Sequence, residues 1–403
     1  MAKAKWIPAI YLMACAALWA AIAVFGWNAP WQALQIRVFQ QEFSDLRTSQ
    51  AAVIALKMGL DPTVNNAIGA NDSLYNHPPI LLSIARLLRF DLEWAFLTFA
   101  TVSIALFTYV NWLWLRRNPS WTLLLATLSG AALLPIERLN NDMHIYMLLV
   151  AATLSNHYIV RPMLLGVSAI LKIFPAVAFL ALLPWRSHFR NWPTLMMTAT
   201  AVAIGPFLLY LALDWSYIFK AISLTERGAA SAYGVWVNHF LVEERFMPLP
   251  YGQQIQYVAY LLFAVMIFRA RKPLARWAGV DMPRSTDGLG RHEFGFLIGA
   301  SIYVFTYLVS ANWDYRMIFT LLAVPYFLSL ENRAVRVAFS SLLILALNYY
   351  ILVGALGNLG GAINIAAKLG LHLMMLAALI IVPLQLQAQV QAQVQTRDPL
   401  ANA

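Results

Sequence analysis

Long apolar runs separated by short polar ones set the rhythm of this chain from its start. Residues 6–26 carry no charge and follow Lys3 and Lys5. They exceed the core of a cleaved leader, about 7–15 residues, and so read as an uncleaved first helix. Comparable runs recur at 94–115, 121–136, 143–160, 192–213, 253–268, 294–311, 317–330, 338–355 and 364–384. Most approach the ~20 residues that carry a helix across a bilayer. The short alternating strands of a membrane barrel do not occur, and a helix satisfies its own backbone polar groups in lipid. The expected fold is an all-α integral membrane protein with about 10–12 transmembrane helices.

One stretch breaks the rhythm. RPMLLGVSAILKIFPAVAFLALLPWRSHFR places Lys172 and Pro175 near its middle and arginines at its ends. A single crossing would put Arg161 and Arg186 on opposite sides of the membrane, whereas a broken or re-entrant hairpin returns both to one basic side. The hairpin is the expected form. With a cytoplasmic N-terminus, the basic short loops fall inside and two long regions, 28–93 and 214–252, fall outside. Connectors usually run to about 4–6 residues, so these outer regions read as lids or binding loops. The inner loop 269–291, with RARKPLAR, reads as a topogenic loop near anionic lipid headgroups. Residues 1–384 form one transmembrane domain on this reading, and 385–403 form a low-complexity cytoplasmic tail.

Composition agrees with the pattern. The 403 residues are 61% hydrophobic and 11% charged, against about 25% charged in soluble domains. The net charge of +10 is spread over loops between spans rather than gathered in one patch, which reports topology and not nucleic acid. The single cysteine, Cys15, lies in the first span, which excludes an internal disulfide and a cysteine metal site. HExxH, Walker A and GxGxxG motifs do not occur, and the histidines are too scattered to argue a metal. No cofactor is expected, with a divalent metal optional.

Several short stretches carry candidate chemistry. In FSDLRTSQAAVIALKMGLDP, Ser44 or Asp45 is placed to cap a helix running to about Met58, with Gly59 and Pro62 beyond. A capped carboxylate is also a rigidly aimed one. In LYNHPPILLSIARLLRF, Tyr75, Asn76 and His77 precede two prolines; the chain is extended there, and Pro79 can open a short interfacial helix. Lys172 is the sharpest feature, because an ammonium at membrane depth costs a few kcal/mol unless it is paired or wetted. It either snorkels to an interface or awaits an anion from the lipid phase. SANWDYRMIF sets Asp314 and Arg316 among aromatics, as an interfacial belt or as a phosphate ligand beside a sugar platform. Asp142 and His144 in LNNDMHIY, and Trp236, Asn238 and His239 in GVWVNHF, suit sugar hydroxyls and ring faces, as they suit any interface.

Taken in order, these features match a known pattern: an outer-loop acid after the first span, a Y-x-x-P-P turn, an L-x-G-x-x-x-x-x-K-x-x-P segment and a late W-D-Y turn. The chain resembles the polyprenyl-phosphate-mannose-dependent α-mannosyltransferases of the multi-spanning C-type glycosyltransferase superfamily, over about Ser44 to Pro325. The resemblance implies the C-type glycosyltransferase fold and transfer of a hexose, with inversion, from a polyprenyl-phosphate donor on the outer face to a glycolipid or glycan acceptor. It implies Asp45 as general base, Lys172, Arg316 and Arg47 as donor-phosphate ligands, and His77 and Asp314 in the site. The sequence departs from the family in carrying N-W-D-Y-R where many members have a W-D-H-type run. One acid suffices for this chemistry, because a phosphate leaves as an anion and only the acceptor hydroxyl needs a base. The rival expectation is a polytopic transporter or flippase of lipid-linked sugars, which would use the hairpin and Lys172 but leave the long outer regions unexplained. A polymerase or ligase joining lipid-linked glycans is the third.

Overall fold

The computed structural model of the protein describes residues 5–36, 38, 42–64, 74–157, 159–187, 197–223, 232–235, 237–238, 251–279, 290–309 and 312–397. The fold is almost wholly helical. Five helices among the described residues are long and apolar enough to cross a membrane: α1 (Ile7–Phe25), α5 (Glu93–Arg117), Met197–Lys220, Arg291–Val309 and Asn358–Leu384. The count rises to seven if two sharply bent pairs each make one span. The chain is a multi-pass membrane protein, with fewer unbroken spans than the apolar runs predict.

Between α1 and α5 lie α2 (Asn28–Ala33), α3 (Ser44–Lys57) and α4 (Pro79–Leu87). α3 begins without the expected side-chain cap: Phe43 stands before it at φ 59°, and neither Ser44 nor Asp45 caps the helix. Asp45 sits inside the first turn, where its carboxylate still favours the positive end of the helix dipole. The helix stops where Gly59 turns to φ 76°, as the sequence predicts. Two anchors fix α3: the Phe43 amide donates to the Glu137 carbonyl at 3.2 Å, and Arg47 grips Glu93 at the head of α5 at 2.8 Å.

The next runs are broken by their own polar residues. α6 (Trp121–Thr127) and α7 (Gly130–Arg138) start on Ser120 and Ser129 caps, and α8 (Asn141–Leu154) starts on Asn140. Residues 121–138 and α8 meet at 118°. α9 (Val160–Leu171) ends at Lys172, whose backbone is extended, and a 3-10 stretch, Phe174–Ser187, follows. The expected break therefore falls at Lys172, ahead of Pro175. A π-helical turn, Thr200–Ile204, precedes Gly205 and Pro206, where proline removes a backbone donor and perturbs the helix. A Cβ on Gly166 would come 2.7 Å from Ala203 Cα, so the glycine lets α9 press against that turn.

The Arg291–Val309 helix is the centre of the molecule: 78% of its window is buried, against 17% for α1. Gly295 and Gly299 share one of its faces, the spacing that lets membrane helices approach closely. A Cβ on Gly299 would stand 2.5 Å from the Phe319 carbonyl oxygen. The segment it touches is where the sequence predicts a straight span at 317–330. The structure instead has a 3-10 helix, Asp314–Leu322, and a short helix, Val324–Ser329. This segment is buried against protein rather than lipid, where irregular backbone is tolerated. A two-residue antiparallel ribbon leads into it, with β1 (Ala232–Tyr233) paired to β2 (Asn312–Trp313). The predicted span at 338–355 bends by 77° between Arg333–Leu347 and Tyr349–Leu356. Asn348 makes the bend, donating to the Ile344 carbonyl at 2.8 Å and accepting from the Gly130 amide at 3.3 Å. The final helix runs from Asn358 to Arg397, so the backbone of residues 385–397 continues the last span.

Candidate functional site

The bend between α7 and α8 presents Asn140 and Asp142 to the interior, and three distant segments meet there. Asn140 holds its own helix start by accepting from the Asp142 amide at 2.9 Å, while its side-chain amide donates to the Asp45 carboxylate on α3. Asp142 is fully buried. Its Oδ1 lies 2.5 Å from Lys172 Nζ at the end of α9, and its Oδ2 lies 3.3 Å from Arg316 Nε. Arg316 also donates through Nη1 to Asn312, four residues earlier. Phe174 lies under both cations, with its ring centre 5.0 Å from the Arg316 guanidinium and 5.8 Å from Lys172 Nζ.

His77 completes the group from the turn ahead of α4. Its ring is buried and edge-on to Tyr75 at 5.5 Å, and the Tyr75 hydroxyl donates to the Pro78 carbonyl at 3.2 Å. Burial, with the Lys172 cation nearby, pushes the imidazole down to about 4. His77 is therefore a neutral hydrogen-bonding group at ordinary pH, not a third cation. Electrostatically the core is simple. Lys172 and Arg316 against Asp142 leave one formal positive charge in a largely buried setting, and the neighbouring Asp45 carboxylate balances it. Asp45 stands next to this core but is only half-buried, so its carboxylate remains open to a partner.

The other candidates lie elsewhere. Arg47 is bound in a fork to Glu93 and lies over the Phe96 ring at 4.3 Å, which fastens α3 to α5. His144, two residues along α8, turns to α5, with Nε2 2.9 Å from the Ser103 hydroxyl and its ring beside Phe99. Asn76 is half-buried in the turn before α4. Asn238 donates to the Tyr307 hydroxyl at 2.8 Å. Asp314 does not join Arg316; it faces Lys368 at 2.6 Å. Trp236 and His239 lie outside the described residues. Sequence reasoning passed over Asn312 and Arg138. The i, i+4 spacing of Asn312 and Arg316 could have signalled the first. Arg138, 5.1 Å from the Trp313 ring centre, had no local signal.

An apolar cavity of about 800 Å³ lies between α1 and α5. Leu12, Trp19, Ile104, Tyr109 and Trp112 line it, and Phe43, two residues before Asp45, closes one part of its wall. No group of three or more His, Cys, Asp or Glu among the described residues could hold a metal ion.

No protein-family model matches the chain. No curated protein matches it. Among solved structures, ArnT from Cupriavidus metallidurans in the apo state aligns over 92% of this chain and 78% of its own, with 12% identity and a TM-score of 0.36. A likeness that weak carries no argument about chemistry. What the chain itself establishes is a multi-pass, almost wholly helical membrane protein with a charged crossing of α3, α8, α9 and the Asp314–Leu322 segment, centred on the buried Asp142.

Proposed function

We propose that this protein is a membrane glycosyltransferase that moves a hexose, mannose by the motif order, from a polyprenyl-phosphate donor to a lipid- or glycan-linked acceptor on the outer face of the inner (plasma) membrane. The observation that carries this reading is the meeting of Asp45, Asn140, Asp142, Lys172 and Arg316, drawn from four separate segments, in one hydrogen-bonded network around the buried Asp142. The acceptor hydroxyl gives its proton to the half-exposed Asp45 carboxylate as its oxygen attacks the anomeric carbon. The bond from that carbon to the phosphate oxygen breaks, and the polyprenyl phosphate leaves with the electron pair. Lys172 and Arg316 meet the charge that develops on the leaving oxygen. Asn140 aims the base, and His77 offers a neutral donor to the sugar. The cavity between α1 and α5 suits an isoprenoid or acyl chain.

The test uses membranes holding wild type or Asp45→Asn, a labelled polyprenyl-phosphate mannose and extracted envelope lipids. Loss of the base should slow transfer about 10²- to 10⁴-fold. Transfer by the Asn variant at the wild-type rate would remove Asp45 from that role. The transporter reading draws on the two helix pairs bent by 118° and 77°, since broken helices also line transport sites. It gains if wild type transfers no sugar from any polyprenyl-phosphate donor yet moves a lipid-linked sugar between leaflets of sealed vesicles.

A further inference from the structure

We infer that Lys368 is a positioning residue that holds Arg316 in place through the β1–β2 ribbon, and that Asp314 serves as its anchor rather than as a substrate ligand. Lys368 is 2% exposed on the final helix. Its ammonium lies 2.6 Å from Asp314 Oδ1, donates to the Ala232 carbonyl at 3.2 Å, and sits 5.3 Å from the Tyr349 ring centre. One cation thus grips both strands, β1 through a backbone oxygen and β2 through the residue that follows it. The ribbon needs such a grip. Two residues per strand make too few hydrogen bonds to hold a register alone, and even full hairpins are marginal without packing.

From the ribbon the path to the charged network is short. Asn312 pairs with Tyr233, accepts from Arg316 Nη1, and donates to the Thr306 carbonyl. Arg316 then reaches Asp142. An arginine has many rotamers, and a fixed guanidinium requires a fixed base. Lys368 itself is held, because the Tyr303 hydroxyl donates to its carbonyl at 2.9 Å. Nothing in the local sequence joins a lysine on the last span to a ribbon more than fifty residues earlier; the fold alone brings them together. The part of this inference that concerns donor phosphate rests on the proposed glycosyltransferase reading. The part that concerns the placement of Arg316 does not.

Lys368→Met alone leaves a buried carboxylate without its cation and can unfold the protein. The paired variant Asp314→Asn/Lys368→Met removes both charges, which buried pairs tolerate far better than loss of one partner. The full chain in detergent is treated with phenylglyoxal, and modification is followed by mass spectrometry at Arg316 and, as a reference, at the buried Arg161. The paired variant should label Arg316 about tenfold faster while Arg161 keeps its wild-type rate, the signature of local opening. Unchanged labelling at Arg316 overturns the inference, and so does an equal rise at both arginines, which marks general loosening.

A second arm measures the affinity of farnesyl monophosphate for wild type, Arg316→Gln, the paired variant and the triple variant. If Lys368 acts through Arg316, the paired variant should lose affinity and the triple variant should bind no more weakly than Arg316→Gln. Additive losses overturn the inference. If wild type binds no farnesyl monophosphate, the glycosyltransferase reading fails, and the labelling result still decides the role of Lys368.

Discussion

Asp142 shows what a single residue's surroundings can and cannot announce. That Lys172 needs a partner follows from the sequence, because a lone ammonium in an apolar run is costly. That the partner is Asp142, thirty residues away on the neighbouring helix α8, is a product of packing and has no local trace. Replacing Asp142 with Asn leaves Lys172 and Arg316 without the buried carboxylate that bonds both, with only the half-exposed Asp45 nearby. The variant should unfold at lower temperature, by an amount matching about 3–5 kcal/mol for a broken buried pair. Added farnesyl monophosphate should then raise its melting temperature more than that of wild type, since an anion can stand where the carboxylate stood. Equal increments would show that phosphate does not visit these cations. His77 sets a separate pH signature. Its folded value, about 4, lies below the ordinary 6.5, so the stability it contributes is fully present above pH 6.5. It is lost as the pH falls through 6.5 toward 4, by up to about 3 kcal/mol. Thermal melts of wild type and His77→Gln across that range should converge on acidification. Parallel curves would show that the imidazole is not held neutral.

At the level of helices, apolar length located the spans and polar residues decided their breaks. α1, α5 and Arg291–Val309 fall within a few residues of their predicted limits, and there Asn111 and Thr306 bond carbonyls of the preceding turn without breaking the helix. Where Ser129, Asn140 or Asn348 could cap or bind a backbone group, the run broke instead. The Asp314–Leu322 segment was hardest to read, since its 3-10 winding reflects the glycine face it packs on rather than its own residues. That contact is a sensitive point. Gly299→Ala places a methyl against the Phe319 carbonyl, and the segment must move away. A loss of about 1–3 kcal/mol is expected, as for other overpacked cores. Sugar transfer should fall further than stability does, because Arg316 rides on the displaced segment. Wild-type transfer rates in Gly299→Ala would separate the site from this packing.

Over the whole molecule, the thinly buried helices sit outside and the charged crossing lies within. α1 and α5 are 17% and 33% buried, and the apolar cavity lies between them. Ala105 is on its wall, so Ala105→Trp should fill it. If the cavity takes the isoprenoid chain, this variant should use long-chain donors at least tenfold less well while a farnesyl-phosphate sugar is used as before, since only the former needs the full depth. Equal use of both would assign the cavity to bulk lipid. On the glycosyltransferase reading, the placement of that cavity would also fix the medium in which donor and protein meet. A pocket between two helices apolar enough to cross a membrane would be supplied sideways from the bilayer, in two dimensions. The concentration that matters is then the mole fraction of donor among the membrane lipids, not its molarity in the tube. Diluting the membrane with inert phospholipid should then slow transfer even when the amount of donor is unchanged, and the rate should report membrane composition.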